Sequence, residues 1–164
     1  MSARTVIDGL EFSRADREMR GSLQVTELTR LQDMLFDGKG QVDFLLKGGR
    51  DRRGRPTVYL EISGLLHLRC QRCMGALGHP LYLANTLVLV RADEPLPEET
   101  DAPDAPDCIV ADAAMDVTTL IEDEILLGVP FAPRHPADAC GVRDDTGRSR
   151  RDASPFAGLA ALKK

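Results

Sequence analysis

The chain sorts itself by the spacing of its apolar positions. Three runs between Gln41 and Val90 alternate apolar and polar residues or crowd β-branched ones: Gln41–Lys47, Thr57–Leu68 with Val58, Leu60 and Ile62 on one face, and Pro80–Val90. A period of two sends successive side chains to opposite faces, so these runs predict strands with one side buried. The polar, glycine-rich stretch Gly48–Pro56 predicts a hairpin between the first two runs. Further strands are expected over Arg17–Leu23 and Cys108–Val110, behind an extended N-terminal lead-in.

Helical spacing takes over elsewhere. Leu28, Leu31, Met34 and Leu35 predict a helix over 26–36, capped by Thr26 and stopped near Gly38. A stronger pattern, Val117, Leu120, Ile121, Ile125 and Leu127, follows the capping residue Asp116 and ends at Gly128 and Pro130. At the end of the chain Ser154 and Pro155 precede Phe156, Leu159 and Leu162, the spacing of a short amphipathic helix. The expected fold is α+β: an antiparallel sheet of four or five strands, two or three flanking helices and a long acidic loop. One domain is expected over residues 1–140, with a polar linker and a C-terminal helix in 141–164.

Composition changes the picture mainly through charge. A chain of 164 residues at 43% hydrophobic can bury a core, and its net charge of −5 argues against a protein that coats nucleic acid over its whole surface. The charge is segregated, however. Residues 39–91 hold nine Lys or Arg against three acids, whereas 92–132 hold twelve acids and no Lys or Arg. Within the latter, residues 92–107 contain four prolines and no bulky apolar run, which predicts a flexible loop. No run approaches the roughly 18 apolar residues of a membrane span, and the first residues lack an apolar leader, so a cytoplasmic protein is expected.

Candidate chemistry gathers where the second and third strands meet. Cys70 and Cys73 stand in the expected turn with Arg69 and Arg72 beside them. Two thiolates at this spacing are half of a tetrahedral zinc site, and the missing ligands could come from His135 and Cys140, or from His67, His79 or Cys108. Reduced cysteines without metal are the other reading. Thiol redox catalysis ranks below both, because a pair between two strands lacks the helix N-terminus that activates a thioredoxin-type cysteine. Glu122, Asp123 and Glu124 read as a solvated face of the second helix.

Arg50, Arg52, Arg53 and Arg55 cluster at the predicted hairpin tip and, with Arg69 and Arg72, could converge on one face of the sheet as an RNA-binding surface. Arginine suits that role because its planar fork donates paired bonds to phosphate and stacks on bases. No glycine-rich phosphate loop or nucleophile signature is present, and no enzymatic activity is expected.

Three separated pieces form a pattern in this order: Leu68-Arg-Cys-Gln-Arg-Cys73, then Leu120–Pro130 followed by His135 and Cys140, then Pro155–Lys164. Together they resemble the YceD family of large-ribosomal-RNA accumulation proteins. The resemblance implies a non-enzymatic cytoplasmic factor in synthesis, processing or stability of large-subunit ribosomal RNA. Its partner would be that RNA or a ribosomal protein, with no membrane and no DNA. Matching positions are Cys70, Gln71, Arg72, Cys73, Glu122, Asp123, Glu124, Pro130, His135, Cys140, Pro155 and Phe156. Cys108 lies outside these motifs, so with the resemblance the expected zinc set is Cys70, Cys73, His135 and Cys140. A zinc-stapled protein adaptor is the alternative.

Overall fold

The alternating runs pair as neighbours. In the computed structural model, which describes residues 5–94, 107–136, 139 and 140, β3 (Gln41–Arg50), β4 (Pro56–Arg69) and β5 (Ala76–Val90) form an antiparallel meander. β2 (Glu18–Gln24) pairs antiparallel with β3 on one side, and β6 (Cys108–Val110) joins β5 in parallel on the other. The sheet order is therefore β2-β3-β4-β5-β6. One face is apolar: Val42, Leu46, Val58, Leu60, Ile62, Leu66, Leu68 and Leu87 are buried there, in the registers Leu46↔Leu60 and Val58↔Leu87. The intervening residues, Tyr59, Glu61, Ser63 and Leu65, point to the other, more open face.

Helix α2 (Val117–Gly128) covers the apolar face. Asp116 accepts from the Thr118 and Thr119 amides at 2.9 and 3.3 Å, the cap expected of it, and of the expected apolar face Val117, Leu120, Ile121 and Ile125 are buried while Leu127 is exposed. Gly128 lets the helix end close on β5, since a Cβ there would lie 2.4 Å from Leu83. The short strands β1 (Val6–Ile7) and β7 (Met115–Asp116) pair and tie the N-terminus to the start of this helix. The architecture is thus α+β, with a mostly antiparallel five-stranded sheet.

Three local expectations are corrected. The lead-in contains a helix, α1 (Gly9–Arg14), capped by Asp8 through the Glu11 amide at 2.8 Å. It lies directly on β3 because Gly48 has no side chain; a Cβ there would stand 2.3 Å from the Phe12 carbonyl oxygen. The predicted helix over 26–36 is instead a pair of 3-10 turns, Val25–Glu27 and Thr29–Leu31. Leu28, Leu31 and Leu35 are buried as their spacing required. Side chains, however, take the backbone groups that a helix would use. The Glu122 carboxylate accepts the Arg30 amide at 2.6 Å and the Leu31 amide at 3.4 Å, while the Gln32 amide donates to the Val25 and Leu28 carbonyls. Glu122 and Glu124 are buried, so the expected solvated acidic face holds only for Asp123, which is half exposed. The expected C-terminal helix and most of the acidic loop lie outside the described residues.

Glu122 also receives the Arg30 guanidinium at 2.9 Å, and its side chain is 6% exposed against 47% for Arg30. Removing the carboxylate strands two backbone amides, although the Arg30 guanidinium keeps its pairing with Asp123 at 2.6 Å; removing the guanidinium leaves those amides bonded. Glu122→Ala is expected to cost about 2–4 kcal/mol in urea unfolding and Arg30→Ala at most ~1 kcal/mol; equal losses would remove the amide bonds from this account.

A second polar contact sets an acid dependence. The hydrogen bond from the His67 ring, 2.9 Å from Asp37, holds the Asp37 carboxyl below its ordinary range against partial burial, helped by the Lys39 amide. A depressed carboxyl stabilises the fold above its unfolded value of about 4. That stabilisation is lost as pH falls through the lower folded value. Asp37→Asn is therefore expected to flatten the decline in stability below about pH 4, and parallel curves for the two chains would contradict it.

Candidate metal centre

β4 and β5 are joined by the turn Cys70–Gly75, and its backbone is closed on itself. The Met74 amide donates to Cys70 O at 2.9 Å and the Cys70 amide to Gly75 O at 3.0 Å. Met74 sits in the left-handed region, with φ of 61°, which lets the chain reverse directly after Cys73. The loop after α2 is fastened to this turn by the Gln71 amide, which donates to Pro133 O at 2.8 Å. That bond, with the one from His135 to the Ala76 carbonyl, sets His135 and Cys140 alongside Cys70 and Cys73.

The four side chains then converge. Cys70 Sγ lies 3.9 Å from Cys140 Sγ, and Cys73 Sγ lies 3.4 Å from His135 Nδ1. All four candidate ligand atoms fall within 4.8 Å of one another. A disulfide needs sulfurs about 2.05 Å apart, so Cys70 and Cys140 are thiols. A tetrahedral ion with metal–sulfur distances of about 2.3 Å and metal–nitrogen of about 2.0 Å sets donors roughly 3.5–3.8 Å apart. The Cys70–Cys140 and Cys73–His135 separations lie close to that range, and the other pairs stay within 4.8 Å, near enough for one ion to draw the four together.

The protonation pattern suits a cation as well. His135 Nε2 faces the Ala76 carbonyl oxygen at 2.8 Å, which assigns the ring proton to Nε2 and turns the Nδ1 lone pair toward the sulfurs. Burial pushes the Cys70 thiol up, but the backbone amides of Cys73, His135 and Arg72, with the Cys73 thiol, outweigh it and hold Cys70 down to about 5. Burial, together with the neighbouring Cys73 and Cys70, pushes the Cys140 thiol up. The Ala76 carbonyl and the adjacent Cys70 hold the His135 imidazole above its usual value. Without a cation, the first thiolate disfavours the next; a divalent ion reverses that relation.

The other candidate ligands lie elsewhere. His67 is engaged by Asp37, and Cys108 starts β6 opposite Val88, toward the far end of β5. The arginines do not converge as expected. β4 has 14 residues and so spans roughly 43 Å. Arg50, Arg52, Arg53 and Arg55 are at its hairpin end, while Arg69 and Arg72 are at the cysteine end. At the tip Arg55 is paired with Asp51 at 2.7 Å, and Arg50 donates to Gly54 O. Arg52 and Arg53 are exposed, and no ion pair reaches either guanidinium among the described residues. Arg69 donates to the Leu35 carbonyl and helps fasten the 3-10 segment to β4. Sequence reasoning missed the anchoring work of Glu122 and Glu124; their place in the LIEDEIL run of α2, beside buried Ile121 and Ile125, was the available signal.

The fold and site define an α+β protein in which a strand-connecting Cys-x-x-Cys turn is closed by a histidine and a cysteine from the loop after its main helix. The model of the family described as large ribosomal RNA subunit accumulation protein YceD matches residues 58–163, and the chain belongs to that family. The match begins within β4 and includes β5, α2 and all four members of the cluster. No solved structure matches the chain.

Proposed function

We propose that this chain is a non-enzymatic cytoplasmic factor in the synthesis, processing or stability of large-subunit ribosomal RNA, and that it contacts RNA through the β3–β4 hairpin tip. The observation that carries the RNA contact is the projecting turn with Arg52 and Arg53 exposed beside the anchored Arg50 and Arg55. Asp51 organises this tip: its carboxylate accepts the Arg53 and Arg55 amides at 2.9 and 2.8 Å as well as the Arg55 side chain. The turn is thereby preorganised, and the free guanidinium groups reach outward without reordering backbone. Family membership supplies the RNA as the relevant polyanion. Among the described residues no helix is long and apolar enough to cross a membrane, which agrees with action beside the ribosome.

In this reading the ion of the cysteine cluster is zinc and its role is structural. Three thiolates and one imidazole are soft donors that favour zinc over magnesium or calcium. With four protein ligands no coordination position is left for substrate, which supports holding over catalysis. The bound ion would lock the Cys70–Gly75 turn to the loop after α2, joining two segments far apart in sequence.

Replacing Arg52 and Arg53 together by Ala is expected to weaken binding to in vitro transcribed large-subunit ribosomal RNA and to lower the slope of log affinity against log salt by about 2. An unchanged slope would take the hairpin out of the RNA contact. For zinc, elemental analysis of chain purified without chelator or metal-affinity resin is expected to give close to one equivalent. Cys73→Ser should lose it and Cys108→Ser should keep it; less than about a tenth of an equivalent in the unaltered chain would contradict a structural site.

A further inference from the structure

We propose that the outer edge of β5, between Ala76 and Thr86, is a docking strand for an extended peptide of a partner protein that carries a lysine or arginine at its Asn85 end. β5 has 15 residues, but β6 pairs only with Val88–Val90. The β4–β5 register runs without a bulge from Thr57↔Val88 to Arg69↔Ala76. Backbone groups facing outward therefore share the parity of Val88, whose amide bonds Asp107 O, and Val90, whose carbonyl accepts the Ala111 amide. They belong to Ala76, Gly78, Pro80, Tyr82, Ala84 and Thr86.

Both ends of this edge are closed locally. His135 occupies the Ala76 carbonyl and the Asn85 side chain takes the Thr86 amide at 2.8 Å. Pro80 has no amide to offer. Between these points the outward groups of Gly78, Tyr82 and Ala84 have no hydrogen-bond partner among the described residues. An added strand would satisfy them, and such main-chain pairing is how an extended peptide joins a sheet edge.

Side chains on both faces give the added strand something to pack on. Toward the core face, Gly128 rests against Leu83. Next to Gly128 in the chain Leu127 is 81% exposed, and Phe131, three positions further on, is fully exposed. Toward the open face, Tyr82 is 71% exposed. A strand alternating its residues across the edge would cover apolar surface on both sides.

Charge selects the occupant. The Asn85 side-chain amide donates to Asp107 at 3.0 Å and to Glu124 at 3.1 Å, so two carboxylates share one neutral donor. No cation pairs with either of them among the described residues, and Glu124 is buried. A lysine or arginine entering beside Asn85 would supply the missing positive charge. RNA would bring more negative charge to the same place.

The test uses the isotope-labelled full chain and two synthetic peptides, acetyl-Lys-Val-Thr-Val-Lys-Val-Lys-amide and its counterpart with Glu for every Lys. The lysine peptide is expected to shift the Gly78, Tyr82 and Ala84 amides and slow their exchange, and the glutamate peptide to do so at least tenfold more weakly. Ala84→Pro removes an outward amide while leaving the bonds to β4, a substitution that sheet edges tolerate. It should weaken binding at least tenfold with the remaining amide spectrum retained. Asp107→Asn should narrow the preference for lysine. Arg52→Ala with Arg53→Ala should leave peptide binding unchanged, which separates this proposal from the RNA contact. Equal response to both peptides, no response at those amides, or an Ala84→Pro chain that binds normally would overturn it. So would an RNA oligonucleotide that moves the same amides, or a dimer of the chain that Ala84→Pro dissolves.

Discussion

The unbroken pairing of β4 with β5 is the constraint from which the rest of the molecule follows. Because the register never slips between Thr57↔Val88 and Arg69↔Ala76, every apolar residue of both strands stays on its assigned face. A shift of one residue would turn Leu60, Ile62, Leu66 and Leu68 out to water, and burying each such side chain is worth roughly 1.5–3 kcal/mol. The same pairing sets the distance between the two chemically distinctive ends. The arginine tip and the cysteine turn are held apart by the length of a strand, so they form separate surfaces.

Around this ladder, side-chain polar groups do much of the joining. Glu122 replaces helical hydrogen bonds in the segment before β3 and binds it to α2, while Glu124, through Asn85, ties the same helix to β5. Residues with neighbouring numbers on one helix thus fasten it to two different parts of the chain. His67, through Asp37, and Arg69, through the Leu35 carbonyl, hold the 3-10 segment from the opposite direction. Glu122 in such a position matters for the backbone groups it satisfies, since an unpaired buried amide costs more than an ordinary hydrogen bond contributes.

The cysteine cluster belongs to the same scheme of long-range ties. Its members come from a turn and from a loop separated by more than sixty positions, and the bonds from Gln71 to Pro133 and from His135 to Ala76 set their approach. The Ala76 carbonyl that orients His135 is the first residue of β5, so the geometry of the cluster is coupled directly to the sheet. Removal of one ligand would therefore be felt in the loop and at the start of the strand together.

Much of this was legible without coordinates, for a physical reason. Alternation over 41–90 reports which side of a strand meets water, and Asp116 followed by an apolar spacing reports a capped helix; both are local consequences of backbone geometry. The turn between β4 and β5 and the pool of candidate ligands for Cys70 and Cys73 were readable in the same way; the residues alone left His67, His79 and Cys108 open, the family resemblance favoured His135 and Cys140, and the tertiary structure brings those two to the cysteines. What tertiary structure decided were outcomes dependent on distant partners. Leu28, Leu31 and Leu35 have helical spacing, yet Glu122, some ninety residues away, takes the amides and leaves 3-10 turns. Arg69 and Arg72 are basic like the hairpin arginines, yet the β4 ladder carries them to the other end. How much of the outer edge of β5 is paired among the described residues is likewise invisible in the strand's own residues, because it depends on how little of that edge β6 covers.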